Sequence, residues 1–188
     1  MKKLIIVFLS LAILITTATG CIPKTTAKTN VDAKPISVEE FSSAANSANV
    51  SGKEYTAATI EETAFLIRYD FLSADDIANI FIADETNTSM NELYFIQFNT
   101  LEKASEFFEV FYNKSESGKE NIEQFGTWDF HSTETQKKLH IKYRGGRARW
   151  SILMRQVENT IVFFDTAEGY AVQAEKTLDK IIKTIKYN

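Results

Sequence analysis

The spacing of apolar positions changes repeatedly along the 188 residues, and each change predicts a different element. Residues 4–15 are apolar throughout except at Ser10, and they follow the basic pair Lys2-Lys3. A helix over that run rises about 18 Å against a hydrocarbon core of about 30 Å, so it suits a cleavable secretory core better than a permanent span. Residues 22–36 hold both prolines of the chain, Pro23 and Pro35, and show no period. They read as a tether that reaches about 50 Å when extended.

Helical spacing begins at Ser37. With Glu40 it forms an S-x-x-E capping box, followed by Val38, Phe41, Ala44, Ala45 and Ala48 on one face. Residues 60–72 predict a second helix, with Ile60, Ala64, Ile67 and Phe71 at helical intervals. The texture then becomes β-branched and aromatic: residues 77–83 and 93–98 predict a hairpin joined by a polar loop. Asn99 as N-cap, with Glu102 three residues on, predicts a helix whose buried stripe is Leu101, Ala104, Phe107, Phe108 and Phe111. Residues 125–131 read as an aromatic connection. Leu139, Ile141 and Tyr143 then alternate with Lys138, His140, Lys142 and Arg144. Ala148, Trp150, Ile152 and Met154 alternate on the return from Gly145-Gly146. Around residue 153 the return strand is apolar on both faces, as a central covered strand requires. A tight turn at Glu158-Asn159 leads to a strand over 160–164. Asp165 or Thr166 then caps a last helix with Ala174, Leu178, Ile181, Ile182 and Ile185 on its stripe.

Two segments share one plan: a hairpin, a polar residue followed by Thr (Asn99-Thr100 and Asp165-Thr166), and an amphipathic helix. The expected fold class is therefore α+β, an antiparallel or mixed sheet built from two ββα-like halves with helices packed on it.

Composition narrows the picture in two ways. Fourteen Phe, seven Tyr and two Trp supply a core that packing alone can hold, since the only cysteine is Cys21. Of the 21 basic residues, Lys2 and Lys3 leave with residues 1–20, so 19 remain against 25 acidic ones, a formal charge of −6. That is not the footprint of a nucleic-acid-binding domain, and no nucleic-acid partner is expected.

The small residues after the apolar run lead straight into that cysteine. Ala18-Thr19-Gly20-Cys21 resembles the lipobox of bacterial lipoproteins, with Ala18 where Leu is more usual. The resemblance implies a signal peptide over residues 1–20 and thioether lipidation of Cys21, which becomes the new N-terminus. It further implies a lipid-anchored tether over 21–36 and a single α+β domain over 37–188 on the extracytoplasmic face of the cell membrane. Two acyl chains suffice for stable anchoring. The outline of the body also resembles small uncharacterised lipoproteins of Gram-positive bacteria, a likeness that carries over Cys21 and no other residue.

Candidate chemistry in the body is sparse. A Gly145-Gly146 turn pairs Arg144 with Arg147 and Lys142 with Arg149, and sets His140 opposite Ser151. Like charges directly opposite are destabilising, so Lys142, Arg144, Arg147 and Arg149 need solvent, nearby acids such as Glu134 or Glu158, or an anionic partner. Lipid headgroups and a wall polymer phosphate both fit that last description. The oxygen-rich loop 84–92 lacks the glycine of a calcium-binding turn, and its residue types are those of hairpin loops. The two histidines, His131 and His140, sit in no metal or nucleophile motif, and no cofactor motif occurs. Trp128, Phe130 and Trp150 are read as core before pocket. The expectation is a lipid-anchored binding or accessory module, with no catalysis implied. It would engage the membrane through Cys21 and an unidentified protein, wall polymer or anion through the hairpin. The alternatives are a small envelope hydrolase assembled across the fold and a partner-masking subunit.

Overall fold

Strands apolar on both sides need cover on both sides, and this requirement sets the architecture. The computed structural model describes residues 34–83, 92–145, 148–167 and 171–187. In chain order these form α1 (Val38–Ser47), β1 (Gly52–Thr56), α2 (Phe65–Arg68), β2 (Ile77–Ala83), β3 (Glu92–Phe98), α3 (Leu101–Glu116), α4 (Lys119–Phe125), β4 (Gly126–Ser132), β5 (Gln136–Gly145), β6 (Ala148–Val157), β7 (Thr160–Ala167) and α5 (Ala171–Thr184). Single 3₁₀ turns occur at Ile60–Glu62 and Ala74–Asp76. The strands make one sheet in the order β1-β2-β3-β7-β6-β5-β4, antiparallel at every step. The fold class is α+β, as the pattern of periods predicts.

The register divides the side chains between two cores. On one face, Phe81, Leu93, Phe95, Leu153, Val162 and Phe164 pack against α1 and α5. On the other, Ile80, Tyr94, Ile96, Leu139, Met154, Ile161 and Phe163 pack against α2 and α3. The two ββα-like segments are thus β2-β3-α3 and β6-β7-α5, joined where β3 pairs with β7, and their helices cover opposite faces.

Several expectations shift. The helix over 60–72 is broken: Thr63 is extended, and its hydroxyl donates to the Ile60 carbonyl at 2.7 Å and accepts from the Phe65 N–H at 3.2 Å. The residues buried there are Ile60, Phe65, Tyr69 and Leu72, while Ile67 is 82% exposed. The N-cap of α3 is Thr100, whose hydroxyl accepts from the Lys103 N–H, rather than Asn99. Asn99 instead ties the β3–α3 junction to the turn before β2, donating from its side chain to the Asp75 carbonyl at 2.7 Å. Asp165 and Thr166 do not cap the last helix either, because β7 runs on to Ala167. Residues 126–132 form a strand where a connection was expected. Cys21, the tether through residue 33, the loop 84–91 and Arg147 lie outside the described residues. Among the described residues, no helix is long and apolar enough to cross a membrane.

Candidate functional site

The face that carries α1 and α5 is apolar over β2, β3 and β7 but becomes polar over β4 and β5, and Lys142 lies in that polar zone. The β5–β6 ladder runs to Gly145 opposite Ala148, a register centred one residue later than the glycine pair implies. Every partner therefore moves by two positions while every residue keeps its face. The pairs are Arg144 with Arg149, Lys142 with Ser151, and His140 with Leu153. This corrects the expected pairings of Arg144 with Arg147, Lys142 with Arg149 and His140 with Ser151.

The acid that meets Lys142 comes from α5. Ala174 and Leu178 hold that helix on the sheet, and Glu175, beside Ala174 at the edge of the buried stripe, reaches down to β5 and β6. Its Oε2 accepts from Lys142 Nζ at 2.6 Å, and its Oε1 accepts from the Ser151 hydroxyl. Neither Glu134 nor Glu158 plays this part. Sequence reading had no local signal for the contact, since Glu175 is 33 positions from Lys142.

Around this pair the polar groups are only partly satisfied. Asp129 on β4 is the register partner of His140, yet its Oδ2 accepts from Lys138 Nζ at 2.7 Å. That hydrogen bond holds the Asp129 carboxyl below its usual range. His140 Nε2 and Thr166 Oγ1 are buried without a hydrogen-bond partner. Burial, and next the neighbouring Lys142, hold the His140 imidazole below its ordinary range, against the opposing pull of Glu175; Lys138 lowers it further and Asp129 raises it.

A pH prediction follows from this environment. Below about 6.5, the ordinary histidine value, the unfolded chain takes up a proton that folded His140 resists. The stability from neutral His140 is complete above that pH and is lost as pH falls toward the lowered folded value. In urea titrations across pH 7 to 5, wild type should lose stability, and His140→Gln should flatten the slope. An unchanged slope would remove His140 as its source.

The same geometry bears on the hydrolase alternative. Ser151, Asp129 and His140 share one face on adjacent strands, but they form no relay: the Ser151 hydroxyl donates to Glu175, and Asp129 accepts from Lys138. Ser151 is 1% exposed, which leaves a substrate carbonyl no approach to its oxygen. His131 lies on β4 opposite Lys138 and is exposed. The aromatic candidates form two separate pairings. Trp128 and Phe130 pack on Tyr112 at 6.1 and 4.4 Å, whereas Trp150 stacks on Tyr143 at 6.3 Å.

Other features were not legible in the pattern. On the opposite face, a cavity of about 440 Å³ is lined by Lys53, Tyr55, Phe65, Arg68 and Tyr94 among others. Beside it Arg68 pairs with Glu92, which also accepts from the Tyr69 hydroxyl at 3.1 Å. Asp165, expected as a cap, lies in this region, where burial raises its carboxyl and Lys114 and Arg68 oppose the shift. Lys176, Lys180 and Lys183 project from the outer side of α5 around Asp179. Among the described residues no group of three or more His, Cys, Asp or Glu is placed to hold a metal ion. The chain matches no protein-family model, no curated protein and no solved structure.

Proposed function

We propose that this chain is a lipid-anchored, extracytoplasmic binding module, held at the membrane through Cys21, that engages an anionic envelope ligand with the tip of its β5–β6 hairpin. The observation that carries the reading is the register at that tip. Arg144 and Arg149 are direct cross-strand partners, while Glu175, the acid that answers Lys142, is already shared between Lys142 and Ser151. Directly opposed like charges cost stability, so a hairpin that keeps them favours an anion between them. Arg147 adds a third guanidinium to the same turn in sequence. Arginine forks match phosphate oxygens two at a time, which makes phosphate the favoured ligand chemistry.

The lipid is tested by metabolic labelling with a clickable fatty acid, which should mark the wild-type chain and leave Cys21→Ser dark. The hairpin is tested on residues 22–188, which carry neither the apolar run 4–15 nor Cys21, so that neither leader nor lipid partitions. Each cation near an anionic surface contributes about 1 kcal/mol at physiological salt. Arg144→Glu with Arg149→Glu should therefore weaken co-sedimentation with phosphatidylglycerol vesicles, or with a phosphate-bearing wall polymer, by more than about tenfold. Binding should also fall as salt rises. Equal binding by the double variant would sink the hairpin reading and leave the anchor untouched.

A further inference from the structure

The two edges of the sheet are built differently. β1 is short, at five residues, and carries the adjacent charges Lys53 and Glu54, both exposed; short edges and edge lysines are devices that discourage strand addition. β4, the opposite edge, has none of them. Its seven residues pair with β5 in unbroken register, without a bulge, and include no Lys, Arg or Pro. Six of the seven are exposed, and no described element lies beyond β4 in the sheet. Its one acid, Asp129, is already balanced by Lys138.

We infer that β4 is a docking edge for a second copy of this chain, and that two sheets join there across a two-fold axis. Such an axis, perpendicular to the sheet, keeps each face on its own side, so only positions of the same parity come opposite one another. Of the registers this allows, centring on Asp129 sets Asp129 against its own copy, which like-charge repulsion disfavours. Centring on Phe130 sets Asp129 of each copy opposite His131 of the other, twice over, and brings the two Phe130 rings together on the other face. Phe130 is 37% exposed in the single chain, and its inner side is already seated on Tyr112 at 4.4 Å. The register centred on Phe130 thus matches polar groups on one face and apolar groups on the other. This inference does not depend on the lipid or on the hairpin.

Amide hydrogen exchange of the purified full-length chain in detergent, at low and high protein concentration with light scattering in parallel, tests it. The expected result is doubled mass at high concentration, with exchange across residues 126–132 slowed about tenfold or more. His131→Glu, which meets Asp129 of the other copy twice, should raise the concentration needed for dimer by about tenfold, whereas His131→Lys should not. Both substitutions lie at an exposed position, so the fold is retained, and exchange in β3 and β7 serves as the check. A chain that stays monomeric at all concentrations overturns the inference, as does a dimer that protects another segment or responds equally to both variants. Protection of β4 at every concentration that disappears on deleting residues 22–33 would assign the edge to the chain's own N-terminal segment and also overturn it.

Discussion

Phe107→Ala will lower the unfolding free energy by about 3–5 kcal/mol, the range for truncating a fully buried aromatic ring. Phe107 is inaccessible to solvent and lies within ring contact of Tyr69, Phe71, Phe98, Phe111 and Phe163, at centroid distances of 5.5, 5.9, 5.6, 5.1 and 6.2 Å. These partners come from α3 itself, from the segment around α2, and from β3 and β7. The ring therefore joins α3 to the segment around α2 and to β3 and β7. A cavity there is hard to close, because packed aromatics shift poorly into one another's space. Val110→Ala on the same helix, where Val110 is 40% exposed, should cost less than about 1 kcal/mol. Urea denaturation of the two variants beside wild type measures both. Equal losses would mean that α3 is held by something other than this cluster.

The second large effect is at the other end of the chain. Tyr187→Ala is expected to cost about 3–5 kcal/mol, although the residue is next to last. Termini usually fray unless tied down. Tyr187 is tied by four separate contacts. It is 0% exposed, and its hydroxyl donates to the Thr160 carbonyl at 2.9 Å and lies 2.7 Å from Thr160 Oγ1. Its N–H donates to the Ile182 carbonyl at 3.1 Å, and its own carbonyl accepts from Arg155 at 3.0 Å. Lys186, at φ 52°, makes the sharp turn that sends the ring inward. Tyr187→Phe keeps the ring and loses the hydroxyl, so it should cost only about 1–2 kcal/mol. The gap between the two variants separates packing from hydrogen bonding. Near-wild-type stability of Tyr187→Ala in urea would show that α5 does not depend on the residues that follow it.

Some of this was legible locally. The Ser37-Glu40 capping box needs only residues three apart, and the side chains and backbone exchange the expected hydrogen bonds at 2.9 and 3.3 Å. The period-two alternation over β5 and β6 likewise declared two strands and the correct face for Lys142 and His140. The partners differ from the expected ones because a register centred one residue later moves every cross-strand pair by two positions without changing its face. β4 is not legible in the pattern because an edge strand buries little, so the alternation of Trp128 and Phe130 with Thr127, Asp129 and His131 reads as an aromatic connection. Gly126 also carries more weight than its context suggested. A Cβ there would run into the Lys142 carbonyl oxygen, so only glycine lets β4 come up to β5 at that position.

What sequence by itself determined is the α+β class, most strand and helix positions, the buried stripes of α1 and α5, and the cationic composition of the hairpin. Each follows from spacings of two to four residues, which the chain imposes on itself. Only the tertiary structure decided that α3 and α5 cover opposite faces, that Glu175 rather than Glu134 or Glu158 meets Lys142, and that one sheet edge is guarded while the other has no partner among the described residues. Those outcomes join residues tens of positions apart, and their energy exists only once the chain path has brought them together.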